Sequence, residues 1–145
     1  MELLPLCYLY AANNMQYKVT KKIDVERVGQ SVGSKAKDTV MLSGDMASPY
    51  GMGVVVCDHT KGKAEVHEKS ADTWHVLKGN ARFILGGRLK DPTSSKPGEW
   101  RAEIIEGAET VEVSEGDVID IPPGVPHQID ASEARIELLI TKINL

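Results

Sequence analysis

The chain has 145 residues, a formal charge of −4 and 41% hydrophobic residues, so a single domain of this length buries a core without disulfides or a structural metal. Its 17 lysines and arginines are outnumbered by 21 acids and are scattered, which excludes the basic footprint of a nucleic-acid-binding protein. No stretch reaches the roughly 18 consecutive apolar residues of a membrane span.

Residues 1–12 are apolar, but Glu2 stands where a secretion signal carries basic residues, and Pro5 interrupts the run. Residues 1–15 read as a leader ahead of a later start at Met15, or as an arm that packs on a neighbouring subunit. Cys7 and Cys57 sit in apolar surroundings without paired spacing. That is the usage of buried thiols in a reducing compartment, and the chain is read as cytoplasmic. Residues 16–145 form the single domain.

Residues 16–28 alternate weakly and predict a strand, with a polar, glycine-containing loop over 29–37. A short apolar run at 39–42 ends in Ser43-Gly44-Asp45, and 48–51 is a further turn. Residues 52–57 are apolar on both faces, so this strand requires cover from two sides, by a second sheet or another subunit. Strands are predicted at 64–67 and 72–77, with a turn at Lys78-Gly79-Asn80, and at 81–89, with a bulge at Gly86-Gly87. Residues 91–99 read as a plain hairpin tip. Strands follow at 100–105, 110–113 and 118–121, and a last one at 135–143 is again apolar on both faces. Short strands at this spacing, with no helical period, predict an all-β sandwich or barrel.

The chemistry-bearing candidates are few, because the only histidines are 59, 67, 75 and 127. Two-residue spacing on a strand puts Glu65 and His67 on one face. Asp72, Trp74 and Val76 share a face of the next strand, and His75 points away from them. Prolines 122, 123 and 126 stiffen the turn that delivers His127. Two imidazoles with one or two carboxylates make a two-histidine carboxylate site, which suits iron, manganese, nickel or zinc. The alternative is a set of interior polar groups that satisfy one another without metal.

Gly116, five residues, Pro122-Pro-Gly124, two residues and His127 resemble the second motif of the cupins, whose small jelly-roll barrels carry two such motifs. Ala131 replaces the asparagine at that motif's tail. The first motif matches in part: counting back from Gly79 puts Asp72 at its glutamate, His67 at its second histidine and Glu65 at its first, with His59 where a glycine is common. The resemblance covers about residues 50–143 and implies a single-domain cupin jelly-roll barrel of two antiparallel sheets.

Within it, His67, Asp72 and His127 are the expected ligands of one divalent metal, and Glu65 is a fourth ligand or catalytic base. Trp74, Val76 and Arg82 are the expected substrate contacts. The expected function is a metal-dependent oxygenase, isomerase or lyase acting on a small oxygen-containing substrate, and the alternative is a non-catalytic sensor or storage barrel. The two-faced apolar strands and the arm predict a homodimer, the alternative being that residues 16–42 fold back as extra strands over the same faces.

Overall fold

The computed structural model describes residues 17–32 and 37–145; the apolar arm, Cys7 and Met15 lie outside the described residues. Among those, one helix, α1 (Lys22–Ser31), precedes eleven strands: β1 (Lys37–Gly44), β2 (Tyr50–Lys61), β3 (Ala64–His67), β4 (Ser70–Leu85), β5 (Arg88–Leu89), β6 (Thr93–Lys96), β7 (Glu99–Ala102), β8 (Ile105–Glu106), β9 (Glu109–Ser114), β10 (Val118–Ile121) and β11 (His127–Asn144). No helix among the described residues is long and apolar enough to cross a membrane.

All major pairings are antiparallel and form two layers that share two long strands. In one layer the order is β1, β2, the second half of β11, the first half of β4, then β10. In the other it is β6, β7, β3, the first half of β11, the second half of β4, then β9. The inner faces of both layers supply one core, in which Phe83, Ile136 and Leu138 are fully buried and Trp74 meets Phe83 edge-on. Alternation accounts for this: on β4, Asp72, Trp74 and Val76 are buried while His75 is exposed.

The turn expected at Lys78-Gly79-Asn80 does not end a strand. β4 runs through it and bends at Gly79, whose φ of 81° favours glycine and whose added Cβ would lie 2.1 Å from the Arg135 carbonyl oxygen. β11 bends opposite, where its register shifts between Asp130 and Ile136, and so it starts well before the predicted residue 135. Gly86 and Gly87 form a turn after Leu85 rather than a bulge within a strand. Residues 91–99 are the expected plain hairpin, β6 to β7.

The strand expected over 16–28 is also corrected. Val25, Val28 and Val32 fall at helical spacing, and α1 lays them on the outer face of β2 and β11, against Val54, Val56 and Leu139. A ten-residue helix is marginal alone, so this packing, not propensity, decides its state. Gly29 permits the close approach, since a Cβ there would lie 2.8 Å from the Glu137 carboxylate. Arg135 donates to the carbonyls of Gly29 (3.0 Å) and Val32 (3.4 Å) and so caps the helix end. The outer apolar face that argued for a partner subunit is thus covered from within the chain.

Gly79→Ala is expected to lower the unfolding free energy by at least about 2 kcal/mol, since positive φ and a backbone clash coincide there. Gly124→Ala has φ 82° but nothing within 4 Å, and loses only the backbone preference, about 1 kcal/mol. Urea titrations read both, and equal midpoints for the two variants would overturn the role assigned to the bend.

Candidate metal centre

Cross-strand register builds the site. β3 presents Glu65 and His67 on one face, while Val66 between them packs with the outer cluster around Leu89 and Ile105. β11 opens at His127, directly opposite Glu65. The Pro122-Pro-Gly124 turn is tied to the same place, because the Gly124 N–H donates to the His67 carbonyl at 2.8 Å. The two imidazoles end with ring centroids 5.1 Å apart. β4 adds Asp72, whose Oδ2 lies 3.4 Å from His67 Nε2 and 3.6 Å from His127 Nε2. Glu65 Oε2 is 3.9 Å from His67 Nε2.

Both rings are held by their far nitrogens. His127 Nδ1 lies 3.0 Å from the Val125 carbonyl, which only accepts, so Nδ1 carries the proton and Nε2 bears the lone pair. Burial pushes the His127 pKa down, against the smaller pull of that carbonyl and Asp72, and keeps the ring neutral. Its Nε2 is buried without a hydrogen-bond partner among the described residues. His67 Nδ1 pairs with the Glu99 carboxylate. Burial lowers the His67 pKa, but hydrogen bonds to Asp72 and Glu99 outweigh it and the net shift is upward. Burial raises the Asp72 pKa, yet His67 and Lys142 reverse this and hold it below its ordinary value.

Ligand atoms of Glu65, His67 and His127 all lie within 4.8 Å of one another. Neutral imidazole and carboxylate are good donors to divalent first-row cations, and a buried lone pair with no partner is unfavourable in a closed core. The residues fit a metal ion.

Three residues of the site were not anticipated. Lys142 is opposite Asp72 in register and donates to its Oδ1 at 3.0 Å, and both are buried. Its position was legible, since 136, 138, 140 and 142 alternate inward. Glu99 and Arg101 pair in register with His67 and Glu65, and Arg101 meets Glu65 Oε1 at 3.2 Å. Nothing in the sequence pairs β3 with β7, so no local signal could find them.

The predicted substrate contacts separate. Trp74 lines a cavity of about 540 Å³ together with Glu65, His67 and Asp72. Val76 is not among that cavity's lining residues and is packed in the core. Arg82 borders a separate recess of about 200 Å³ and pairs with Asp130 at 3.3 Å. His59 is exposed, pairs with Asp58, and has φ 47°, the conformation that favours glycine. Trp100 donates its indole N–H to Glu68 at 2.8 Å.

No protein-family model matches the chain, and no curated protein matches it. Solved structures do match. A Klebsiella pneumoniae protein described as an uncharacterised conserved protein with a double-stranded β-helix domain aligns with TM-score 0.61 at 14% identity, covering 89% of this chain and 91% of that one. The cupin domain of Schizosaccharomyces pombe Cnp3 aligns with TM-score 0.58 at 13% identity, covering 81% of this chain and 67% of that one. This protein has the cupin fold. A third cupin-like neighbour, a DMSP lyase from Ruegeria pomeroyi, aligns with TM-score 0.55 at 16% identity and covers 94% of this chain and 60% of its own. At such identities the likeness carries fold and not activity.

Lys142→Met removes the cation paired with the buried Asp72 carboxylate, leaving only the imidazoles beside it, and is expected to cost about 3 kcal/mol, whereas Asp72→Asn combined with Lys142→Met recovers most of the loss. Chemical denaturation of the three variants checks this. A Lys142→Met protein as stable as the parent would remove the ion pair from the account.

Proposed function

We propose that the protein is a small-molecule metalloenzyme holding one divalent cation, iron, manganese, nickel or zinc, through Glu65, His67 and His127, with Asp72 Oδ2 as a further donor. The observation that carries the reading is the buried, unpartnered His127 Nε2, its tautomer set by the Val125 carbonyl. Such an ion, when bound, would supply Lewis-acid polarisation of a substrate oxygen for isomerase or lyase chemistry, or redox capacity toward dioxygen for oxygenase chemistry.

The chain's own residues do the rest. Glu99 orients His67, and Lys142 holds Asp72 by one oxygen while leaving the other toward the imidazoles. Glu65, steadied by Arg101, is the carboxylate placed either to join the donors or to take a proton from a substrate in the cavity.

The second reading is a non-catalytic binding barrel. The pairs Asp72–Lys142 and Glu65–Arg101 favour it, because they balance these carboxylates without an ion. A homodimer in the cytoplasm remains part of the proposal. It rests on the arm and on the cross-strand neighbours Tyr50 and Ile143, exposed by 60% and 42%.

Protein purified without chelator is expected to carry near-stoichiometric metal, lost in His67→Ala and His127→Ala, and to release it on acidification as the imidazoles protonate. Equally negligible metal in all three proteins would sink the metalloenzyme reading. Light scattering is expected to give twice 15.8 kDa; a clean monomer refutes the dimer.

A further inference from the structure

The cavity beside the metal-binding residues has an electrostatic character that the fold does not require. The chain as a whole carries −4, yet this cavity is lined by five cationic side chains, Lys37, Lys69, Lys96, Arg101 and Lys142, against three carboxylates, Glu65, Asp72 and Glu99. The carboxylates are spoken for: Asp72 by Lys142, Glu65 by Arg101 and Glu99 by His67. The side chains of Lys37, Lys69 and Lys96 have no hydrogen-bond or ion-pair partner among the described residues.

Exposed lysines alone are ordinary surface. What distinguishes these is the fourth lysine beneath them. Lys142 is 7% exposed, and its ammonium has three donors, of which Asp72 Oδ1 takes one. A buried ammonium disposed toward a cavity favours an anionic oxygen over a neutral one, because the interaction is charge-assisted and partly screened from water. Met46, Val55, Trp74 and Ile140 give the same cavity an apolar lining, with Ile140 and Trp74 two residues from Lys142 and Asp72 on the inner faces of β11 and β4. The space therefore suits a negative charge with hydrocarbon beside it.

We propose that the cavity selects a small organic carboxylate with an apolar body, its carboxylate drawn by Lys142 and the rim lysines and its body packed on the Trp74 wall. The inference rests on reading this cavity as the substrate site, but not on the metal, since the cations belong to the chain. Bound metal would add to the same bias.

Benzoate and its neutral isostere benzamide make the test, titrated calorimetrically into the full chain, both chelator-treated and metal-loaded. Benzoate is expected to bind at least about tenfold more tightly in both forms, as hydrogen bonds to charged groups do. Its affinity falls at about 0.5 M salt, where rim charges are screened. Replacing Lys37, Lys69 and Lys96 together by glutamine, a surface change that spares the core, is expected to reduce the preference about threefold or more. Lys142→Met abolishes the preference if it folds; if it does not, the triple variant decides.

Equal binding of the two probes, no binding of either, a preference confined to metal-loaded protein, or a triple variant with unaltered preference each overturns the inference. Metal content of the same samples separates the two readings. Loaded protein without preference removes this inference and leaves the metal centre standing, and preference in protein that never takes up metal does the reverse.

Discussion

The structure depends on two strands each serving two layers. β4 and β11 can do this because each bends midway, and the bends meet where Gly79 lies against the Arg135 carbonyl. A side chain at that point would force the strands apart. Each bent strand thereby carries an apolar half-face for both walls of one core, which is how a chain with a single phenylalanine and two tryptophans closes a continuous interior. The same bends bring chemistry together: Asp72 comes from the first half of β4, His127 from the start of β11 and Lys142 from its end.

Burying this many ionisable groups is unfavourable unless each is met, and the site meets them by pairs across strands. Lys142 answers Asp72, Arg101 answers Glu65 and Glu99 answers His67, each opposite its partner in register. His127 is the exception, held by one nitrogen and bare at the other. Three groups are answered, and the His127 lone pair is left without a partner among the described residues. The two imidazoles are also driven apart in basicity: carboxylates on both sides raise His67, while burial lowers His127.

The outer surface follows a related economy. The face of β2 and β11 opposite the core is apolar and continues onto Val40 and Leu42 of the neighbouring strand β1, and α1 covers it with Val25 and Val28. Arg135 joins cover to sheet, reaching Asp58 on β2 and the carbonyls at the end of α1. Helix, sheet edge and bend therefore share one residue, so the cover is coupled to the corner of the fold rather than simply resting on it.

Much of this was legible in the sequence. Period-two alternation and turn residues determined that the chain is all strands over its last hundred residues. Strand phase put Glu65 beside His67 and Asp72 on a face with Trp74 and Val76; that His127 belongs with them was implied by the likeness of the Gly116–His127 spacing, with Gly79 as a second anchor, to the two cupin motifs. α1 was not legible in the weak alternation of residues 16–28, and the helical spacing of Val25, Val28 and Val32 decides the matter only once the face they cover is known. Neither was Gly79's role, because a glycine that ends a strand and one that bends it have the same neighbours in sequence. Glu99, Arg101 and the pairing of Lys142 with Asp72 were decided by tertiary structure alone. They depend on which strand lies beside which, and that is settled by the closing of two layers over a common core, not by any residue's near neighbours in the chain.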